Sequence, residues 1–370
     1  MQNNKKARLI AFYLPQYYPI PENDAWWGKG YTEWTNVGKA KPLFRGHYQP
    51  RVPADLGYYD LRMPEAREAQ AVMAREAGIE GFCYWHYWFG GGKQLLERPF
   101  REVMESKKPD FPFCLGWANH SWTNHSWHSS SQWQKKRILI EQTYPGEADV
   151  INHFYNVLPA FIDERYITVD NKPLFLLYDP FFQGCSRFLE AWRELAVQNG
   201  LPGIHFVGIS TGWDSYCGKI TELGYDAVNR CGQWTAETKV KGKYSRLIIN
   251  SLKTRFGGYI LDKYDYNDII RCIFSPLDKI DNIYPTIIPQ WDRSARSGRR
   301  AVIYTGSTPE SFRTHLAEAI TLVSEKPAEK RIIFLKSWNE WAEGNYVEPD
   351  LKYGHGFLDA IMKEIMIPEP

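Results

Sequence analysis

The chain has 370 residues, which fits two average domains or one large α/β barrel and is enough to bury an ample core. Its formal net charge is +2, with acidic and basic residues mixed throughout, so nothing indicates the basic surface of a nucleic-acid-binding protein. We expect the short arginine-rich segment at 296–300 to be a solvated loop. No stretch approaches ~20 apolar residues, so no membrane span is expected.

Aromatic residues are unusually frequent, with 15 Trp, 23 Tyr and 19 Phe. A buried indole needs a hydrogen-bond partner, so an excess of Trp and Tyr indicates surfaces for flat, half-polar ligands. Sugars fit that description, because their C–H faces stack on rings and their hydroxyls form hydrogen bonds.

The N-terminal segment is basic, and its apolar run extends only from Leu9 to Leu14, too short for the core of a signal peptide. The six cysteines form no C-x-x-C pair, which favours reduced, buried thiols over a disulfide framework. With Met1 as the native start, these features predict a cytoplasmic protein. Removal of a leader would make it periplasmic instead.

Short apolar runs alternate with helical patterns along the chain. Each run is continuous, which is typical of parallel strands covered on both faces. We predict eight strands, at residues 8–14, 78–87, 111–118, 173–179, 203–210, 225–230, 284–291 and 331–338.

Between these runs, helices with proline near the first turn or glycine at the end are predicted at 64–78, 186–200 and 308–323. A further helix is predicted at 245–256, and a long loop at 14–63. Eight strand–helix units predict a single (β/α)8 barrel domain over residues 1–370. A doubly wound sheet is the alternative, but no Gly-rich phosphate loop follows the first strand.

In such a barrel the residues that follow each strand form the working face. Nearly every predicted strand end offers an aromatic ring or a hydrogen-bonding side chain. The candidate substrate-binding residues are Tyr13, Gln16, Glu33, Trp34, Trp85, His86, Tyr87, Asn119, Trp122, Asp179, Trp291, Asp292, Trp338 and Asn339.

Structural roles compete at three of these positions. Glu33 could cap a turn, His86 could be a satisfied histidine at a strand end, and Asp179 could belong to a turn before Pro180. His120, His125 and His128 have weak spacing for zinc, so we expect no metal and no cofactor.

Two glutamates, Glu340 and Glu343, directly follow the last predicted strand and lie among tryptophans. Residues three apart on a helical turn have Cβ atoms roughly 5–6 Å apart, and the carboxyls of a retaining glycosidase lie about 5–5.5 Å apart. Like charges that close raise one pKa, so one carboxyl can hold a proton while the other stays ionised. Such pairs are common on exposed helices, but this position favours glycoside cleavage.

Several segments resemble known signatures. "FYLPQYYPIPENDAWWGKGYTEWTNV", "GFCYWHYWF", "CLGWANHSWT" and "SWNEWAEGNYVEPD" are similar to WbsX-type proteins, which are usually described as glycosyltransferases of lipopolysaccharide biosynthesis. "SWNEWAEG" resembles the N-E-W-x-E-G signature of glycoside hydrolase family 99, the endo-α-mannosidases and endo-α-mannanases. Together these segments span residues 12–350.

The family 99 resemblance implies a (β/α)8 barrel and retention of configuration without a metal. One glutamate would deprotonate the substrate's own 2-hydroxyl to give a 1,2-anhydro sugar. The other would protonate the leaving group and then deprotonate the water that opens the epoxide. By position, Glu340 resembles the first and Glu343 the second. Family 99 has His where this chain has Ala342, which leaves the sugar at this subsite open.

We therefore predict a retaining, endo-acting glycoside hydrolase that uses Glu340 and Glu343 on a bacterial polysaccharide or oligosaccharide. One alternative is a glycosyltransferase or transglycosidase of O-antigen assembly, although no nucleotide-sugar site is visible. Another is a carbohydrate-binding protein that lost catalysis. The sequence does not indicate an oligomeric state.

Overall fold

The computed structural model describes residues 5–124, 137–242 and 260–367, together with the single residues 245, 248 and 251. Eight parallel strands form a closed ring in which each strand pairs with the next in chain order and the last pairs with the first. The barrel strands are β1 (Arg8–Tyr13), β2 (Gly81–His86), β3 (Phe113–Trp117), β4 (Lys172–Leu177), β5 (His205–Ser210), β6 (Ala227–Arg230), β7 (Ile283–Ile287) and β8 (Ile332–Leu335). The predicted (β/α)8 barrel is confirmed.

Helices connect the strands and cover the outside of the barrel. The α-helices of the described residues are Pro21–Trp27, Glu33–Lys39, Pro64–Glu76, Arg98–Ser106, Glu147–Phe161, Cys185–Gln198, Ser215–Glu222, Gln233–Lys241, Tyr266–Ile273, Ser294–Ser297, Pro309–Val323 and Gly356–Ile365. Short 3₁₀ helices in the same residues span Pro276–Lys279, Gly298–Arg300, Ala328–Lys330 and Trp341–Glu343. Within the described part of the chain, no helix has the length and apolar character needed to cross a membrane.

Short strand pairs lie outside the ring. Trp122–Thr123 pairs with Ile138–Ile140, and Asn339–Glu340 pairs with Asn345–Tyr346, both antiparallel. Asp262–Asp265 runs parallel to Val302–Thr305, and Thr168–Val169 folds back on the start of β4.

The barrel strands are buried along almost their whole length, which explains their continuous apolar sequence. Inside the barrel, the rings of Phe12 and Trp85 stack at 4.8 Å, and Phe12 also stacks on Phe334 at 5.3 Å. Aromatic rings on neighbouring strands therefore fill the interior and support the C-terminal face.

The three punctuated helices predicted from the sequence are confirmed. The helix Pro309–Val323 has Thr308 as its N-cap, with the Thr308 hydroxyl accepting from Ser311 N. The helix predicted at 245–256 lies outside the described residues, apart from the single positions within it. The long loop predicted at 14–63 contains the helices Pro21–Trp27 and Glu33–Lys39, so that part of the prediction was wrong.

Six of the eight predicted strands were too long at their C-terminal ends, whereas those ending at 210 and 230 end where β5 and β6 do. The runs ending at Trp291 and Trp338 continue beyond β7 and β8, which end at Ile287 and Leu335. Trp291 and Trp338 are nonetheless buried. An apolar run in this sequence therefore indicates burial. The buried residues belong either to a strand of the sheet or to a segment covered by the loops of the C-terminal face.

Candidate active site

The chain leaving β8 is fastened to the end of β1. The side chain of Asn339 brackets the backbone of Leu14: its Oδ1 accepts from Leu14 N at 2.8 Å, and its Nδ2 donates to Leu14 O at 3.0 Å. Trp338 N also donates to Phe12 O at 2.8 Å. These bonds fix the start of the turn that carries the two candidate catalytic glutamates.

Glu340 and Glu343 lie on a tight turn. Glu340 directly precedes the 3₁₀ helix Trp341–Glu343, in place of the helical turn expected to contain both glutamates. A hydrogen bond between the two side chains shows that they nevertheless lie together. Gly344 closes the turn at φ 54°, and a Cβ there would lie 2.8 Å from Asp292 Cβ. The turn thus requires glycine for both its conformation and its space.

A buried arginine joins two carboxylates at this turn. Arg296 donates through Nη1 to Glu343 Oε1 and through Nη2 to Glu33 Oε1, both at 2.7 Å. Glu33 Oε1 also accepts from Ala342 N at 3.0 Å. Arg293 adds a second contact to Glu343 Oε1 at 3.1 Å. The expectation that segment 296–300 is a solvated loop was therefore wrong for Arg296, because two acidic partners draw its guanidinium inside.

The two glutamates have opposite pKa shifts. Burial, the charge of Glu343 and a hydrogen bond with it raise the pKa of Glu340 well above its usual value. Burial also opposes ionisation of Glu343, but the charges of Arg293, Arg296 and Lys336 outweigh it and lower the pKa of Glu343. The cationic contacts of Glu343 therefore favour its ionised form, whereas the surroundings of Glu340 favour its protonated form.

Lys336 and two tyrosines complete the surroundings of the pair. The charge of Lys336 acts on both carboxyls, and its Nζ lies 4.7 Å from the ring centroid of Trp291. Tyr87 is buried, and burial followed by the charge of Glu340 raises its pKa. Tyr178 is partly exposed, and its hydroxyl lies within the influence of Lys336 and Glu343.

The other candidate substrate-binding residues divide into two groups. Trp34 and Trp85 are half-buried, and Trp85 lies edge-on to Tyr178 at 6.0 Å. The side chains of the second group are enclosed by protein; they are Tyr13, Gln16, Glu33, Asn119, Trp122, Trp291, Trp338 and Asn339. The enclosed side chains therefore lie beneath the surface of the site and pack against the residues that line it.

Asn119 and Asp179 have roles in backbone geometry. Asn119 Oδ1 accepts from Asp179 N at 2.7 Å, and its Nδ2 donates to Asp179 O at 2.8 Å. Asp179 Oδ1 accepts from Phe181 N at 3.0 Å, which is the turn role that competed with sugar binding in the sequence. These contacts join the loops after β3 and β4.

Asp292 is the centre of a buried polar cluster. Its Oδ2 contacts His47 Nε2 at 2.9 Å and accepts from Gln49 Nε2 at 2.7 Å, and Arg51 lies 3.6 Å away. Its backbone N–H donates to Glu343 O at 2.7 Å. Burial raises the pKa of Asp292, but His47 and Arg51 outweigh burial and hold it below its usual range. Asp292 thus connects this buried polar cluster to the turn that carries Glu343.

Trp341, between the two glutamates, is held by a buried carboxyl that sequence reasoning did not identify. Glu348 Oε2 accepts from Trp341 Nε1 at 2.6 Å and from Tyr59 OH at 2.9 Å, and Glu348 Oε1 accepts from Gln70 Nε2 at 2.7 Å. Gln70 in turn accepts from Tyr13 OH at 2.6 Å. Burial raises the pKa of Glu348 to about 7.

His86 and His120 each pack against another ring. His86 Nε2 lies 2.8 Å from His153 Nε2, and burial lowers the pKa of His86 to about 4. His120 packs against Tyr178 at 4.9 Å. His125 and His128 lie outside the described residues. Among the residues described, no cluster of His, Cys, Asp or Glu is arranged to hold a metal ion.

Sequence reasoning missed Arg296, Lys336, Tyr178 and Glu348. Tyr178 and Lys336 do carry a signal, because each directly follows a barrel strand. Arg296 and Glu348 show no such signal in the sequence, because their positions in the site depend on contacts with residues distant in the chain.

The two carboxyls, the buried arginines and the aromatic rings lie on the C-terminal face of a closed (β/α)8 barrel, which is where enzymes of this fold carry their active sites. The chain belongs to the family described as Glycosyltransferase WbsX, whose family model matches residues 9–361. The resemblance noted in the sequence is thereby confirmed.

The chain is 35% identical over 362 residues to Uncharacterized protein WxcX of Xanthomonas campestris pv. campestris (strain B100). A protein of the same name from strain ATCC 33913 is also 35% identical over 362 residues. Each match covers 96% of this chain and 49% of the relative, so the chain spans about half the length of these curated relatives.

Solved structures share the fold. A "Glycoside hydrolase-like protein" is 14% identical with a TM-score of 0.60, covering 100% of this chain and 96% of that one. The GH99 endo-alpha-mannosidase from Bacteroides thetaiotaomicron, in complex with BIS-TRIS-Propane, is 14% identical with a TM-score of 0.57, covering 96% and 95%. At these identities, the likeness establishes the common fold alone.

Proposed function

We propose that this protein is a retaining, endo-acting glycoside hydrolase that cleaves a bacterial polysaccharide or oligosaccharide with Glu340 and Glu343. The observation that carries the proposal is the pair itself: adjacent carboxyls with opposite pKa shifts. Glycoside cleavage needs one acid to protonate the leaving oxygen and one carboxylate to act on the sugar. One structural neighbour is a GH99 endo-alpha-mannosidase, which agrees with this chemistry.

The surroundings of the pair favour a definite division of roles. Glu343 contacts two guanidinium groups and Glu340 carries the proton, so Glu340 is the acid and Glu343 the carboxylate in the resting enzyme. This is the reverse of the roles implied by the resemblance to family 99. Glu343 would then act on the sugar's 2-hydroxyl, giving the 1,2-anhydro intermediate, or on the anomeric carbon.

Arg296 has a positioning role in this proposal. Its planar guanidinium bonds to Glu33 on one side and Glu343 on the other, which fixes the direction of the Glu343 carboxylate. Glu33 is itself held by Ala342 N, inside the catalytic turn. Glu33 and Arg296 thus link the long loop after β1 to the carboxylate that meets the sugar.

A second candidate is glycosyl transfer in surface polysaccharide assembly, favoured by the description of the family as Glycosyltransferase WbsX. On this barrel, the same two carboxyls would pass the sugar to an acceptor hydroxyl in place of water. A transferase that uses a nucleotide sugar would need a diphosphate site in addition.

The test is an assay for reducing ends released from a panel of α-mannans and bacterial O-polysaccharides. We expect release by the wild type, and its loss in both Glu340→Gln and Glu343→Gln. Glu76→Gln, at an exposed position on the helix Pro64–Glu76, is the matched control and should keep full activity. Heat stabilisation by a sugar nucleotide, with no release from any glycan, would instead establish the transferase.

A further inference from the structure

Exposed aromatic side chains cluster on the three consecutive segments that follow β4, β5 and β6, in loops and in the first turns of helices. Five of the eight aromatic residues that are exposed in the described part of the chain follow β4, β5 and β6, each between 37% and 45% exposed. They are Tyr178, Phe181, Trp213, Tyr216 and Trp234, and we call this set the aromatic platform. Contiguous exposed apolar surface of this kind usually marks a binding site.

Ring contacts join neighbouring segments of the platform in two pairs. Phe181 after β4 meets Tyr216 after β5 at 5.7 Å, with the planes at 76°. Trp213 after β5 meets Trp234 after β6 at 6.3 Å and 89°. In both pairs the edge-to-face geometry fixes the orientation of the rings without stacking them on each other. Gly212 makes room for this, because a Cβ there would lie 2.7 Å from Tyr216 Cε2.

Polar groups are interleaved with the rings. Asp214 follows Trp213 directly, and its half-exposed side chain pairs with buried Arg230 at 2.7 Å. Lys219 Nζ lies 5.6 Å from the ring centroid of Tyr216. Charged residues are depleted from the core of a protein–protein interface, whereas a sugar needs flat rings and hydrogen-bonding groups side by side.

The platform is connected to the candidate catalytic pair. Lys336, whose charge acts on Glu340 and Glu343, donates to Gln233 Oε1 at 3.3 Å, and Gln233 is the neighbour of Trp234 in the chain. Tyr178 makes a second connection. Its ring centroid lies 6.0 Å from that of Trp85, and the charge of Glu343 acts on its hydroxyl. A ligand on the platform would thus extend from the reacting bond along one wall of the face.

We propose that the aromatic platform binds the sugar units of a poly- or oligosaccharide that extend beyond the bond cleaved at Glu340 and Glu343. This inference rests on the proposed function and adds to it a substrate several sugar units long. Stacking on Trp213 and Trp234 would supply affinity that grows with chain length, while Tyr178 would meet the unit closest to the reaction centre.

The experiment measures binding, so that it does not depend on turnover. The probes are oligosaccharides of increasing length, prepared by partial acid hydrolysis of α-mannan and of bacterial O-polysaccharides, titrated calorimetrically into Glu343→Gln. The comparison is the same variant carrying Trp213→Ala and Trp234→Ala. Tyr155→Ala, another exposed aromatic on the helix Glu147–Phe161, is the control.

We expect the tryptophan substitutions to weaken binding of the longest oligosaccharides by about ten-fold, a loss on the order of that for one or two aromatic contacts. The loss should be smaller for shorter probes and absent in the Tyr155→Ala control. Equal affinity of both proteins at every length, or binding of no probe, would overturn the platform. So would a dimer seen by light scattering that the tryptophan substitutions dissociate while sugar affinity is unchanged.

The platform and the hydrolase proposal can fail separately. Length-dependent binding that needs Trp213 and Trp234, together with no reducing-end release by the wild type, would support the platform and contradict hydrolysis. Reducing-end release by the wild type, with oligosaccharide affinity unchanged by the tryptophan substitutions, would support hydrolysis and contradict the platform.

Discussion

Arg296 and Glu343 form a buried ion pair, with Arg296 Nη1 2.7 Å from Glu343 Oε1, and the same guanidinium holds Glu33. The arginine therefore shares its charge between two carboxylates that approach it from different loops. Burial alone would keep a glutamate neutral, and the charges of Arg293, Arg296 and Lys336 together lower the pKa of Glu343 and favour its ionised form.

Removing this guanidinium should damage both chemistry and stability. In Arg296→Gln, the pKa of Glu343 rises, so the activity at acidic pH falls as the acid limb of the pH–rate profile moves upward. Arg293, Lys336 and Glu340 still face Glu343, so the shift is partial. Two buried carboxylates lose a partner, which should lower the free energy of unfolding by about 3–5 kcal/mol.

The pH–rate profile and urea unfolding of Arg296→Gln and Arg296→Lys measure these effects. Arg299→Gln, an exposed arginine of the same segment, is the control and should leave both unchanged. An unshifted acid limb in Arg296→Gln would contradict the role given to Arg296.

The division of roles between Glu340 and Glu343 is testable with leaving groups. A pH profile alone is insufficient, because a shared proton gives the same profile whichever carboxyl holds it. If Glu340 is the acid, Glu340→Gln should lose about 10²–10⁴-fold with a poor leaving group and recover most of that loss with a nitrophenyl glycoside of the same sugar. Glu343→Gln should stay inactive with both. Recovery in Glu343→Gln instead would restore the roles implied by the family resemblance.

Asn339 should act on stability more than on substrate contact. Asn339→Ala leaves the N–H and C=O of Leu14 buried without partners, which should cost about 2–4 kcal/mol of unfolding free energy. Urea denaturation measures this loss, and Asn199→Ala, at the end of the helix Cys185–Gln198, is a comparison for the loss of an asparagine at a less buried position. An unfolding free energy unchanged within error would show that the two hydrogen bonds between Asn339 and the Leu14 backbone do not contribute to stability.

Glu348 should make stability depend on pH. Its folded-state pKa of about 7 lies above that of an unfolded glutamate, so the unfolded chain loses its proton first as pH rises. The contribution is fully present below the unfolded pKa and is lost as pH rises through about 7. The stability advantage of the wild type over Glu348→Gln should therefore shrink by on the order of 3 kcal/mol between acidic and slightly alkaline pH.

Unfolding of the two proteins at pH values on either side of this range tests the Glu348 prediction. Glu76→Gln controls for the loss of one negative charge at an exposed position. A constant or growing advantage of the wild type with rising pH would mean that the three donors around Glu348 keep it ionised throughout.

Several features of this protein follow from the sequence alone. Eight continuous apolar runs predict the eight strands of the barrel, because a strand that is buried on both faces needs apolar residues at successive positions. Glu340 and Glu343 can be paired from the sequence because they are three residues apart, and any tight turn places them together. The aromatic content by itself favours a carbohydrate ligand, because sugars stack on exposed rings.

Only the tertiary structure decided what those carboxyls meet. Arg296 precedes Glu343 by 47 residues and follows Glu33 by 263, and no local pattern joins them. Asp292 and Asn339 appeared as sugar contacts because they follow barrel strands, yet their side chains bond to His47, Gln49 and Leu14 inside the protein. Strand ends specify which residues gather at a face. The direction each side chain takes there depends on partners that the folded chain brings from far along the sequence.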